Sequence, residues 1–250
     1  MKISIITTTY NSAATIKDTL QSVNEQTYHN IEHIIVDGAS KDNTLDIVRG
    51  YGERVSKTIS EPDKGIYDAM NKGIRAATGD IIGILNSDDF FASFDVISKI
   101  VSEFENNPTL EGVYTNLYYV KQEAPQTIVR HWISEPFREK SFFKGWHPPH
   151  PTLYLRRNVY DKYGLFDINF SLAADFELML RLFERYKIKT KHLPITTIRM
   201  RLGGATSKNW QNIKKQNVEC VEAFKVNQFK PPMLYTIYRL FPKLLQYLKR

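Results

Sequence analysis

Residues 83–90 read "GILNSDDF": two acids, Asp88 and Asp89, stand side by side at the end of the apolar run 81–85. Adjacent carboxylates repel, and burying either is unfavourable unless a cation or hydrogen bonds answer the charge. Two carboxylates on one strand-end loop suit a hard divalent cation, Mn2+ or Mg2+. Such an ion takes one or two protein carboxylates and fills its octahedron with water and phosphate oxygens. The alternative is a solvated turn that closes the strand. Other residues with chemical potential are Asp37, which ends "IEHIIVDG", and Asp175 in "LAADFELMLRL". Asp175 opens an amphipathic pattern with Phe176, Met179, Leu180 and Phe183 on one side, where a helix cap is the simplest role. In "WHPPHPTLY", His147 and His150 are imidazoles able to ligate a metal or to contact a substrate.

Elements must bring these groups together. Residues 1–90 alternate short β-branched runs (3–8, 31–38, 55–60, 81–85) with helical patterns. The first helix carries Ile16, Leu20 and Val23, with Ser12 as its expected N-cap. The second, in 41–52, closes on glycine, and the third repeats Ile66, Met70 and Ile74 before Gly79. Strands alternating with helices predict an α/β fold with a doubly wound, mostly parallel sheet and right-handed crossovers. Ligands of such sheets lie beyond the carboxyl ends of the strands. Asp37, Asp88, Asp89 and the segment 7–11 all fall there. Past residue 90 the pattern loosens into a helix in 94–108 and partly antiparallel strands at 112–120 and 126–133. Helical stretches follow at 156–167 and 173–186, and a short strand pair is expected in 189–207.

The bulk properties bound the function. A chain of 250 residues with 42% hydrophobic and 24% charged residues has material for a real core. The single cysteine, Cys220, excludes an internal disulfide and suits a reducing cytosol. The N-terminal apolar run is too short for a signal peptide, and no segment is apolar enough to span a bilayer. The formal net charge of +7 is uneven: residues 1–130 carry −6 (12 basic, 18 acidic) and residues 131–250 carry +13 (22 basic, 9 acidic). A basic second half suggests an anionic partner, nucleic acid or an anionic membrane face. The aromatic residues form no stacking motif, which argues against nucleic acid. No P-loop, GxGxxG or HExxH occurs.

Four segments, "SIITTTYNS", "IIVDGASKDNT", "SEPDKGIYDAMNKGIRAATGDIIGILNSDD" and "LAADFELMLRL", stand in this order and spacing. Together they resemble glycosyltransferase family 2, the inverting transferases of GT-A fold that use nucleotide-sugar donors. The resemblance spans about residues 1–205. It implies a donor half (1–90) with a Rossmann-like sheet and an acceptor half (91–205) with a smaller antiparallel sheet. Residues 206–250 then form a basic, helical extension.

The resemblance also implies roles. Thr8, Tyr10 and Asn11 would lie along the nucleoside. Asp37 would hydrogen-bond the base, which favours uracil or guanine because a carboxylate accepts from a ring N–H. Ser40 and Asp42 follow in the same loop, and Asp42 serves there or as a helix cap. Lys64 would reach the diphosphate, since Met70 stands where many members carry Arg. Asp63, Asp68 and Asn71 belong to the same segment, with a polar helix face as the alternative for the last two. Asp89 would hold the metal and Asp88 the ribose or a metal-bound water. The family often has Asp-x-Asp where Ser87-Asp88-Asp89 stands here, so which acid touches the metal stays open. His150 would add to the metal, or contact acceptor or diphosphate. Asp175 would be the catalytic base, with Glu177 second, and the Gly-Gly turn at 203–207 would fold near the diphosphate.

The implied reaction is inverting sugar transfer from a nucleotide-sugar donor, UDP-sugar favoured and GDP-sugar the alternative. The implied acceptor is a hydroxyl of a glycan or lipid-linked molecule in cell-envelope polysaccharide, lipopolysaccharide or glycolipid assembly. A different enzyme class, a metal-dependent sugar nucleotidyltransferase, requires a glycine-rich basic loop after the first strand. "TTTYNSAAT" has none. A non-catalytic basic binding module is the other alternative. The tail, 231–250, interleaves leucines with Arg239, Lys243, Lys249 and Arg250 after Pro231-Pro232, which marks a linker. It suits peripheral contact with an anionic membrane, hence a cytoplasmic protein at the inner face of the cell membrane. Packing on its own domain or on a second subunit is the alternative.

Overall fold

The computed structural model describes residues 1–203, 210–233 and 235–236. The helical, amphipathic tail expected in 231–250 therefore lies largely outside the described residues. Strands β1 (Ile3–Thr9), β2 (Ile31–Asp37), β3 (Val55–Ser60) and β4 (Ile81–Ile84) run parallel in the order β3-β2-β1-β4. Helices α1 (Ile16–Asn24), α2 (Thr44–Tyr51) and α3 (Ile66–Ala76) make the crossovers. The strands are apolar on both faces because both are covered. Ile6, Ile34, Val36, Ile82 and Ile84 meet Ala69, Met70 and Ile74 of α3. Their neighbours Ile3, Ile5 and Ile81 point the other way, to Ile97, Ile100 and Phe104 of α4 (Val96–Asn106), while Ile35 meets α1 and α2. Register decides where the loops leave: Thr9 pairs with Asp37 and Ile6 with Ile84, so the carboxyl ends of β1, β2 and β4 share one edge.

Close packing fixes α3. A Cβ on Gly73 would stand 2.3 Å from the Ile6 Cγ2 methyl, so only glycine lets the helix lie this near β1. The helix opens after Gly65, whose φ of 115° no branched residue adopts easily. It ends at Ala76, short of Gly79, and Ile66 is exposed, so the buried stripe is Ala69, Met70, Gly73 and Ile74. Ser12 does not cap α1 through its side chain; its carbonyl accepts from the Thr15 and Ile16 N–H groups instead.

The second half adds β5 (Phe90–Phe91), β6 (Gly112–Val120), β7 (Ile128–Trp132), β8 (Tyr154–Arg156) and β9 (Thr190–Arg201). These continue the first sheet through β8, which is antiparallel to β4 and to β6, giving the order β3-β2-β1-β4-β8-β6-β9-β5 with β7 paired to β6. Where a strand pair is expected in 189–207, the described residues hold the single strand β9, parallel to β6. Pro194 sits where the register slips: Tyr114 pairs with His192 but Asn116 with Thr196, and a proline is tolerated at such an irregularity. Helix α5 (Arg157–Tyr163) follows β8. Helix α6 (Ala174–Leu180) runs on into a π-turn, Arg181–Arg185. Helix α7 (Trp210–Val226) packs on α6 through Phe224 against Phe176. Among the described residues no helix is long and apolar enough to cross a membrane.

Candidate functional site

The loops after β1 and β2 are stitched to each other. Asn11, held at a φ of 49°, donates its N–H to the Ser40 hydroxyl (2.8 Å) and accepts from the Lys41 N–H (2.8 Å). Asp42, one residue before the N-cap Asn43, accepts from the Thr44 N–H (3.0 Å) and also takes the Ala13 N–H (3.1 Å). The loop after β4 joins them through a hydroxyl pair, Ser12 and Ser87 (2.8 Å). Thr8 is buried and its hydroxyl lacks a partner among the described residues. Tyr10, by contrast, stands 61% exposed at the rim. Ser40, Asn11 and Ser87 thus lie on loops that touch at one edge, and Lys64 is exposed on the loop that enters α3.

Asp37 departs from expectation. It is fully buried, and its carboxylate accepts from the Ser40 N–H (3.0 Å), the Ser40 hydroxyl (2.5 Å) and the Ser60 hydroxyl (2.6 Å). A carboxylate enclosed this way ties its own loop to β3 and has no face open to a base. Asp63 lies nearer the open edge: its Oδ2 occupies the space 2.6 Å from where a Gly38 Cβ would stand, beside the Tyr10 ring. Asn71 also differs. It is buried, donates to the Phe166 carbonyl (2.9 Å) and accepts the Phe166 N–H (3.0 Å), so its amide clamps a loop of the second half.

The acid pair answers the charge problem in an unforeseen way. Arg201, at the end of β9 and 4% exposed, lies against both residues. Its guanidinium donates to the Asp88 carbonyl (2.7 Å) and to Asp18, and its N–H donates to the Asp89 Oδ1 (3.2 Å). Asn86 donates to the Asp89 Oδ2 (3.2 Å). Burial pushes the Asp89 carboxyl well above its usual range, and the neighbouring Asp88 charge adds to this. Burial also raises Asp88, against the pull of its own N–H and Arg201. Asp89 therefore faces the protein, while Arg201 takes Asp88 by its carbonyl and not by its half-buried carboxylate. Hard oxygen donors of this kind fit a divalent cation that takes most of its ligands from water and phosphate, with Asp88 the more accessible of the two. His150 is not their companion: among the described residues no three acids, histidines or cysteines gather as a metal cluster.

His150 instead belongs to a second grouping around Asp175. Asp175, in the first turn of α6, accepts from the Tyr67 hydroxyl of α3 (3.1 Å). The Phe166 ring stacks on Tyr67 (5.5 Å) and meets His150 edge-on (5.4 Å). Burial lowers the His150 imidazole, while the Asp175 charge works the other way. Tyr67 is driven well above its ordinary value by burial and by Asp175, so it stays a donor to the carboxylate. Glu177 is committed elsewhere: it bonds Arg181 (2.9 Å) and accepts from Asn227 (3.0 Å), which removes it as a candidate base. His147 packs among Trp132, Phe142 and Phe176 with its Nδ1 at the Pro148 carbonyl. Gly203 is described, with a φ of 109°, whereas 204–207 lie outside the described residues.

Comparison with known proteins decides the family. The model of Glycosyl transferase family 2 matches residues 4–164. A Mycobacterium tuberculosis glycosyltransferase, Rv1514c, is 33% identical over 181 residues, 72% of this chain and 68% of that protein. The chain belongs to glycosyl transferase family 2. A PGL/p-HBAD biosynthesis glycosyltransferase of Mycobacterium bovis is 27% identical over 195 residues, 77% of this chain and 73% of that one. Staphylococcus aureus TarS has the same fold, with a TM-score of 0.67 at 18% identity over 88% of this chain. This chain spans only 40% of the TarS chain. The mannosyltransferase PcManGT of Pyrobaculum calidifontis, in complex with GDP-Man and Mn2+, gives 0.66 at 19% identity, covering 97% of this chain and 73% of that one.

By family the chain is a glycosyltransferase with a mixed α/β sheet of the GT-A type. The matched stretch ends before Asp175, Arg201 and α7, so the reading of these residues rests on their own geometry. Sequence patterns do not point to Tyr67, Arg201 or Glu219. Only Tyr67 leaves a signal, one residue before Asp68 on the same helix. Arg201 and Glu219 reach the site through β9 and α7, and nothing in local periodicity pairs them with residues more than forty positions away.

Proposed function

We propose that the chain transfers a sugar, with inversion, from a nucleoside diphosphate sugar to a hydroxyl of a cell-envelope glycan or lipid-linked acceptor. Family membership and the PGL/p-HBAD relative support sugar transfer in envelope glycan synthesis. The donor, the metal and the mechanism belong to the proposal. The observation that carries it is the pair of carboxylate centres: Asp88 and Asp89 at the carboxyl edge of the sheet, and Asp175 on α6 with its own donor, Tyr67. Displacement at an anomeric carbon needs those two functions, a place for the leaving diphosphate and a base for the acceptor.

In this reading Asp175 takes the proton of the acceptor hydroxyl as its oxygen bonds to the anomeric carbon. The bond from that carbon to the diphosphate oxygen breaks, and the nucleoside diphosphate leaves. Tyr67 holds the carboxylate in place through the transfer. Asp88, with Asp89 behind it, would hold Mn2+ or Mg2+, which supplies positive charge to the leaving diphosphate. Tyr10, Asn11, Ser40 and Ser87 line the nucleotide edge, with Lys64 at the loop into α3. UDP is the favoured nucleotide and GDP the alternative; TarS and PcManGT are known with UDP-GlcNAc and GDP-Man respectively. The basic segment 231–250 would contact an anionic membrane surface.

The test is calorimetric titration of UDP and GDP with Mn2+ or EDTA, on wild type and Asp88→Asn. The expected result is metal-dependent binding of one nucleotide, weakened in the variant. Binding of neither nucleotide in any condition overturns the proposal. A second assay, release of UDP from UDP-GlcNAc or GDP from GDP-mannose with water as acceptor, reads the chemistry without a known acceptor.

A further inference from the structure

Helix α7 and the residues after it reach α6 at several points. The Glu219 carboxylate of α7 accepts four hydrogen bonds from the turn that starts α6. Oε1 takes the Ser171 N–H (3.2 Å) and hydroxyl (2.8 Å); Oε2 takes the Leu172 N–H (2.7 Å) and the Ala173 N–H (2.9 Å). Asp175 follows two residues later. Asn227, just past α7, donates to Glu177. Phe224 of α7 and Tyr235 beyond it pack on Phe176, the residue after Asp175. The Glu219 charge is also felt at Tyr67, the donor to Asp175. Asp175 is thus flanked on both sides in sequence by residues that α7 holds.

A carboxylate with four donors is a rigid anchor, because each added bond removes a way for the turn to move. Lys215 stands 4.0 Å from Glu219, so the anchor's charge is balanced on α7 itself. Ser171 and Leu172 lie in a loop that has no strand to hold it. Without Glu219 their N–H groups turn to water and the first turn of α6 loosens.

We infer that Glu219 is a positioning residue for the base: it fixes the turn at 171–173 so that Asp175 meets the acceptor hydroxyl. This rests on the reading of Asp175 as the base. Glu219 touches neither substrate nor the reacting atoms. Glu219→Gln keeps size and one acceptor oxygen but turns an NH2 toward two backbone donors.

The experiment is a double-mutant cycle on the full chain with Asp175→Asn, Glu219→Gln and the double variant, following UDP release from UDP-GlcNAc with Mn2+ and GDP release from GDP-mannose. Expected for Glu219→Gln is a kcat lower by roughly 10- to 100-fold with KM for the donor unchanged. Faster hydrogen exchange confined to residues 171–176 should accompany it. The double variant should be no slower than Asp175→Asn alone, because Glu219 acts only through Asp175. An unchanged kcat in Glu219→Gln, a loss that adds to that of Asp175→Asn, or a loss carried by KM overturns the inference while leaving the base assignment standing. Unchanged release in Asp175→Asn overturns the base assignment and the inference with it. Should Glu219→Gln melt well below wild type, Glu219→Asp is the second variant. Its shorter side chain keeps the charge but cannot span both sets of donors, and an unchanged kcat there also overturns the inference.

Discussion

Arg201 is the cation that the described residues bring against Asp88 and Asp89. Arg201→Met would leave Asp89 buried beside Asp88 and release Asp18. Asp18 is half-exposed and returns to water, so the loss is mainly that of the guanidinium donor to the Asp88 carbonyl, about 1–3 kcal/mol. Urea unfolding should show it, and a change below about 0.5 kcal/mol would mean that the guanidinium is not what holds the acid turn. At the same scale, Asp175→Asn should lower nucleotide release by about 10²- to 10⁴-fold, the usual worth of a positioned base. Nucleotide affinity by calorimetry should not change. Equal loss of binding and turnover would move Asp175 out of the chemistry and into the fold.

Two helical glycines separate what propensity decides from what packing decides. Gly50 in α2 has nothing within 4 Å of where a Cβ would stand, so Gly50→Ala should stabilise by about 0.5–1 kcal/mol through the helix preference alone. Gly73 in α3 would put the same methyl 2.3 Å from Ile6 and 3.2 Å from Val36. Overpacking of that size outweighs the preference, and Gly73→Ala should destabilise by about 1–2 kcal/mol net. Thermal melts of the two variants therefore shift in opposite directions. A shift of one sign for both would show that α3 can lift off the sheet, and with it Tyr67 and the Asn71 clamp on Phe166.

Over the whole molecule, acid is the vulnerable direction. His33 is buried in β2 with Nε2 at the Thr7 hydroxyl (3.0 Å), and burial lowers it to about 3. The unfolded chain, near 6.5, therefore takes a proton that the folded chain refuses. Stability present above that value is lost as pH falls toward 3, by at most about 1.4 kcal/mol per unit. Burial works to raise the Glu32 carboxyl, but bonds from Lys2, Ser4 and Thr78 hold it at about 2, so its contribution is lost below the ordinary 4.5. Asp88 and Asp89 are raised and act with the opposite sign. His33→Gln should flatten the decline in stability between pH 6.5 and 3, measured by urea unfolding at stepped pH. Parallel curves for variant and wild type would assign the acid limb to other groups. Charge asymmetry supplies a second expectation at this scale. Deleting 237–250 removes Arg239, Lys243, Lys249 and Arg250, each worth about 1 kcal/mol at an anionic surface. Flotation with phosphatidylglycerol vesicles should lose the protein on truncation, and a full chain that never floats would remove the membrane from the proposed function.

The sequence by itself determines whatever repeats at short range. β-branched apolar runs at 3–8 and 31–38 and helical spacing in α1 and α3 require a covered parallel sheet, and that in turn puts Asp37, Asp88 and Asp89 at one edge. The ordered motifs give the family for the same reason, since each sits within a strand, a loop and a helix that adjoin in the chain. Tertiary structure decides how those groups are used. Asp37 has the strand-end position of a ligand-binding acid, but Ser60 arrives from a neighbouring strand and encloses it. Glu177 and Asp175 share one helix turn and one chemistry; Arg181 and Asn227 claim the first and Tyr67 reaches the second. His150 groups with the acid pair by chemistry and with Asp175 by packing against Phe166. β9 runs as one strand because β6 offers a partner along its length, and its pairing with β5, the strand that follows the acid pair, delivers Arg201 to Asp88 and Asp89. A side chain's partners depend on which distant segment fills the space beside it, and a linear pattern carries its own face of that contact but not the other.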